Sequence, residues 1–168
     1  MADMYGIFGS LILFGISYPA LLTVWWLLFP KQVERARLKI TEKPKKSFGM
    51  GLIYALASAV PAVILFTLPS QFTQVLGWLW LVIVLGSASL GAAGIAAEIG
   101  LRVNWKNDGA YQSLGAFLRG AAIWELASIF PIIGWLLIIP LGTITALGGA
   151  VPAILGKKHP ADQPEKAA

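Results

Sequence analysis

Between Ser47 and Ala97 the chain runs for 51 residues without one Asp, Glu, Lys or Arg. Two shorter charge-free stretches flank it, Met4 to Pro30 and Leu126 to Gly156. A helix that crosses a bilayer needs about 20 apolar residues, because the hydrocarbon core is about 30 Å thick and each residue rises about 1.5 Å. The first stretch accommodates one span, the long one accommodates two with a turn between them, and the last accommodates one. Composition points the same way. Hydrophobic residues make up 57% and charged residues 12% of the chain, about half the charged share of an ordinary soluble domain. The mean hydropathy is +0.74. So little polar surface cannot cover so much apolar mass in water. The expected fold class is all-α, a polytopic transmembrane helix bundle.

The expected spans are 5–29, 48–67, 72–97 and 132–155. No basic residue precedes the first span and no small-residue cleavage motif stands out after it, so it reads as a retained anchor. Ser47 is placed to cap the second span. Leu68-Pro69-Ser70-Gln71 supplies a Pro-containing turn before the third. Arg119 and Glu125 interrupt the region that follows, and Pro131 to Trp135 looks like a helix break and restart. From Arg119 to Pro131 is about 18 Å of helix, too short to cross. A partial helix, interfacial or re-entrant, is therefore expected at 111–129, giving four spans plus one partial helix. The alternative is five crossings. Residues 157–168 form a polar tail that holds the single histidine, His159.

Orientation follows from Lys and Arg counts in short loops. The 31–46 segment holds Lys31, Arg35, Arg37, Lys39, Lys43, Lys45 and Lys46 against Glu34 and Glu42. It is expected to be a cytoplasmic loop of a bacterial inner-membrane protein, touching anionic lipid headgroups, with the N-terminus outside. Those headgroups suffice to explain the basic charge, and nucleic acid is not expected. Trp25, Trp26 and Trp105 near the inner loops, and Trp78 and Trp80 near the outer turn, lie where an interfacial aromatic belt should sit.

The third span is rich in small residues. Ala88, Ala92, Ala96 and Gly100 recur every four residues, with Gly91 and Gly94 among them, and Gly142, Ala146 and Ala150 repeat the pattern in the last span. Small faces let helix backbones approach closely, which drives helix association in lipid. They serve either packing within the bundle or packing against other membrane protein subunits. Pro19 and Pro61 fall near the middle of spans one and two and are expected to kink them.

Chemistry-bearing residues are few. The chain has no Cys, and its one His lies in the tail, so thiolate sites and haem or metal ligation by His at membrane depth are excluded. No phosphate-binding loop, dinucleotide fingerprint or hydrolase motif is present, and neither a cofactor nor an enzymatic activity is expected. The candidate functional charges are Glu98, Arg102, Arg119 and Glu125. Glu98 and Arg102 stand in the favourable i,i+4 order for a helix-end ion pair. An acid at membrane depth, as Glu125 would be, is by default a functional candidate.

Glu42-Lys43-Pro44-Lys45-Lys46-Ser47-Phe48 leading into Gly51, then Pro61, Arg119-Gly120, Phe130-Pro131-Ile132-Ile133-Gly134-Trp135 and Ala146-Leu147-Gly148-Gly149-Ala150 resemble the membrane segment at the C-terminus of some bacterial polymer-forming, bactofilin-type proteins. The resemblance covers about 42–150. This chain differs from that pattern in carrying no β-solenoid polymer domain, so the resemblance implies a membrane module and transfers no catalytic residue.

The expected function is a non-enzymatic membrane scaffold or accessory subunit. One alternative is a permease or channel for a small solute or ion that uses the Pro-kinked spans and Glu125. Another is an accessory subunit of an electron-transfer or photosynthetic complex, contributing apolar walls.

Overall fold

A computed structural model describes residues 2–103, 113–130 and 132–156, with side chains from Gly15 onward. All regular structure among them is helical: α1 (Ala2–Leu28), α2 (Pro30–Glu42), α3 (Pro44–Thr67), α4 (Gln71–Val103), α5 (Leu114–Ile129) and α6 (Ile139–Ile154), the last entered through one π-helical turn at Gly134–Ile138. Three segments are long and apolar enough to cross a membrane: Pro44–Thr67, Gln71–Val103 and Gly134–Ile154. In α1, Gly15–Leu28 forms a shorter apolar helical stretch. The apolar side chains that would face lipid are correspondingly exposed, among them Ile53, Val63, Val82 and Leu136.

The core is built from small residues. Positions 88–94 of α4 and 146–150 of α6 are buried without interruption. A methyl added at Gly91 would overlap the Ala146 backbone, and one at Gly148 or Gly51 would overlap the facing backbone where α3 crosses α6. Gly100 meets the Ala116 carbonyl and Gly120 meets that of Ala96, which brings α5 onto the last turns of α4. Backbone-to-backbone contact of this kind maximises dispersion where no hydrophobic driving force separates helix from lipid.

The basic segment is where the structure departs most from expectation. Residues 30–42 are a helix, begun by Pro30 at its first position. It packs against both α4 and α6. Val33 and Ala36 are buried. The backbone and Ala36 of α2 press on Gly94, and Ile40 lies over Gly149. A run of charge therefore hides an inward stripe at positions 33, 36, 37 and 40, the three- and four-residue spacing of an amphipathic helix.

The next span also begins earlier than expected, at Pro44. Ser47 does not cap it. Its buried hydroxyl donates to the Lys39 carbonyl at 3.0 Å and ties α3 to α2. The expected partial helix begins at Leu114 behind Ser113, whose side chain accepts from the Ala116 N–H; residues 111 and 112 lie outside the described residues. So do Trp105 and the tail with His159. α5 has 16 residues, about 24 Å, shorter than a hydrocarbon core. Pro61 lies inside α3, and the Trp80 indole donates to the carbonyl of Ser58, three residues before it, at 3.0 Å. Trp25 and Trp26 are partly buried and pack against the core.

Candidate functional site

Two polar constellations stand out in this apolar bundle. The first joins α2 to α4. Arg37 is buried and uses its whole fork. Nε and Nη2 donate to the Glu34 carboxylate at 2.9 and 2.6 Å, and Nη1 donates to Glu98 Oε2 at 2.7 Å. The other Glu98 oxygen accepts from Arg102 Nε at 2.9 Å. The expected Glu98–Arg102 pair is thus half of a four-residue chain whose centre is Arg37. Arg102 is largely exposed, and such a pair contributes at most about 1 kcal/mol. The Arg37–Glu98 contact is the structural one, because both groups are shielded from solvent and it is the contact that joins α2 to α4, Glu34 lying on α2 with Arg37 and Arg102 on α4 with Glu98. A cleft of about 240 Å³ lies beside it, lined by Trp26, Pro30, Glu34, Arg37, Leu101 and Phe117. Both carboxylates of the cluster are already engaged, Glu34 by Arg37 and Glu98 by Arg37 and Arg102, so the cluster is suited to fastening helices.

Arg37 therefore does not belong to a headgroup-facing set. Of the other basic residues in the segment, Arg35 and Lys39 are half-buried, while Lys31, Lys43, Lys45 and Lys46 are exposed.

The second constellation is a groove of about 790 Å³ between α1, α4, α5 and α6. Its mouth is apolar. Leu21, Val82, Leu85, Ile129, Trp135 and Ile139 border it and are all well exposed on the surface that carries the other lipid-type side chains. Its floor carries Tyr18, Ser89, Trp124, Glu125, Ser128 and Thr143. Most of the polar groups there are satisfied locally. The Trp25 indole donates to Ser89 Oγ at 2.7 Å, and Ser89 in turn donates to the Gly86 carbonyl at 2.8 Å. Ser128 donates back along its helix to the Trp124 carbonyl at 2.9 Å. The Trp124 indole pairs with the Tyr18 side chain. The far end of the Trp124 ring reaches Gly142, where an added side chain would displace it.

Glu125 differs from its neighbours. It is half-buried, and no hydrogen bond or ion pair reaches its carboxylate among the described residues. Arg119, six residues earlier on α5, lies about 120° around that helix and is exposed.

The small residues singled out from sequence are spent inside the chain. Gly91 and Ala146 meet at the α4–α6 crossing, Ala96 and Gly100 receive α5, Gly94 receives α2, and Ala88, Ala92 and Ala150 are buried. Gly142 receives the Trp124 ring. The groove-lining aromatics Tyr18, Trp124 and Trp135 were not visible as a site in the sequence. They come from three separate elements, and only the fold brings them together. No family model, curated protein or solved structure matches this chain.

Proposed function

We propose that this chain is a non-enzymatic integral membrane protein that takes a small ligand sideways from the bilayer, as a permease or a membrane-embedded binding protein. The observation that carries this reading is the groove that ends on Glu125. A lipid-type mouth and a polar floor suit a ligand that partitions into the membrane first, and a volume of about 790 Å³ falls within the roughly 300–1,000 Å³ of small-molecule sites. The excess of Lys and Arg around α2 supports a cytoplasmic position for that end of the bundle, in a bacterial inner membrane.

A second reading, an accessory or scaffold subunit, draws support from α3. Only 6% of its most apolar stretch is buried, so lipid or a neighbouring subunit covers the rest. Such a subunit would have to use large apolar side chains, since the small faces are consumed internally.

Native mass spectrometry on protein extracted in mild detergent tests the first reading. The wild type should carry a small molecule that Thr143→Trp, which fills the groove, does not. A wild type without ligand, together with a Thr143→Trp protein that fully replaces the wild type in a deletion strain, would leave the groove without a function.

A further inference from the structure

The charged groups of the α2–α4 junction, Glu34, Arg37, Glu98 and Arg102, each have an opposite charge beside them, whereas Glu125 has none among the described residues. An uncompensated carboxylate in an apolar groove is costly unless it is protonated or meets a cation. Among the described residues that line the groove none is cationic, so the cation comes with the ligand. The walls add a second requirement. Trp25, Trp124, Trp135 and Tyr18 all line the groove. Aromatic faces attract weakly hydrated cations through the ring quadrupole, with Trp the strongest. A compact, strongly hydrated ion such as sodium would have to exchange its water shell for a few scattered hydroxyls, those of Ser89, Ser128 and Thr143, and Ser89 Oγ already accepts from the Trp25 indole. The apolar mouth would also oppose its entry. A soft cation wrapped in hydrocarbon meets none of these obstacles.

We propose that the groove binds a hydrophobic monocation, an organic ammonium or phosphonium, with Glu125 as its counter-charge and the tryptophans as its walls. This rests on the reading of the groove as a ligand site and adds the class of ligand. Glu125→Gln keeps the size and hydrogen-bonding capacity of the side chain while removing the charge. Glu125→Asp keeps the charge and shortens the reach.

The test titrates purified protein in nanodiscs with methyltriphenylphosphonium and with triphenylphosphine, its near-isosteric neutral counterpart. Quenching of tryptophan fluorescence is the readout, and thermal melting controls for folding. Wild type should bind the cation about tenfold or more tightly than the neutral probe, the scale of one ion-pair or cation–π contact out of water. Glu125→Gln should bring the cation down to the neutral level and leave the neutral probe unchanged, and Glu125→Asp should retain a preference. Equal binding of both probes by wild type overturns the cation assignment while leaving the groove as a ligand site. Failure of both probes to bind overturns the assignment and the ligand-site reading together. If Glu125→Gln does not fold, the wild-type preference alone decides.

Discussion

α3 and α4 are about equally apolar, with most-apolar windows of the same mean hydropathy, 2.0, yet their environments differ. α3 is 6% buried over that window and α4 is 44% buried over its own. The difference is side-chain size. α3 carries Leu52, Ile53, Leu56, Val60, Val63 and Ile64, all exposed, whereas α4 from Ala88 to Gly100 is mostly Ala, Gly and Ser and mostly buried. Where lipid is the solvent, apolarity does not decide what goes inside, because a methylene gains little by moving from lipid to protein. What decides is how closely two backbones can approach, and bulk works against that. α3 touches the core chiefly where it too is small, at Gly51 against α6.

The comparison can be broken or sharpened by substitution, and the largest effect is expected at the edge of the small-residue seam. Arg37→Ala removes the buried link between α2 and α4, leaves Glu98 with the exposed Arg102 alone, and should lower stability in detergent by about 3 kcal/mol, the low end for removing one partner of a buried pair. A replacement of Arg37 and Glu98 together by apolar residues of similar volume should recover much of that loss. Next in size is Gly91→Leu, which forces α4 away from Ala146 and should cost about 1–3 kcal/mol or more. The same change at Gly49, where nothing lies within 4 Å, should barely move the melting temperature. Equal melting of these two variants would refute the close-packing account.

Smaller again is Trp25→Phe, which keeps the ring mass but removes the indole donor to Ser89. A loss of about 0.5–1.5 kcal/mol is expected, measured as the shift of the unfolding midpoint. The smallest effect belongs to the lipid-type surface. Val82→Ala, on a side chain that is 64% exposed, should stay within about 0.5 kcal/mol. A larger loss there would mean that this surface packs against protein.

Charge spacing made the helical class legible, since hydrocarbon tolerates neither free charge nor unpaired backbone. The four-residue recurrence of Ala and Gly also marked which faces meet. The helix at 30–42 stayed hidden because nine charges in sixteen residues read as a solvated loop. The inward stripe of Val33, Ala36, Arg37 and Ile40 was there at helical spacing, but one of its four members is an arginine, and no local rule says that Glu98, sixty-one residues on, will meet it. The groove was illegible for a related reason. Tyr18, Ser89, Glu125 and Thr143 share no local pattern, and only Glu125 stood out alone, as a charge in an apolar stretch.

α2 is wedged against α4 and α6, and its contact with α6 carries a consequence for synthesis. Ile40 and the Ala36 carbonyl are covered by Gly149, a residue made more than a hundred positions later. At translation rates of about 5–20 residues per second, that interval lasts roughly ten seconds. Through that time the nascent chain holds a short, charged helix with the Ile40 end of its inward stripe unclothed, beside spans already delivered to the bilayer. The protein can close only when its last helix arrives. Nascent chains stopped before α6 should therefore leave α2 open to protease, whereas chains long enough to include Gly149 should protect it.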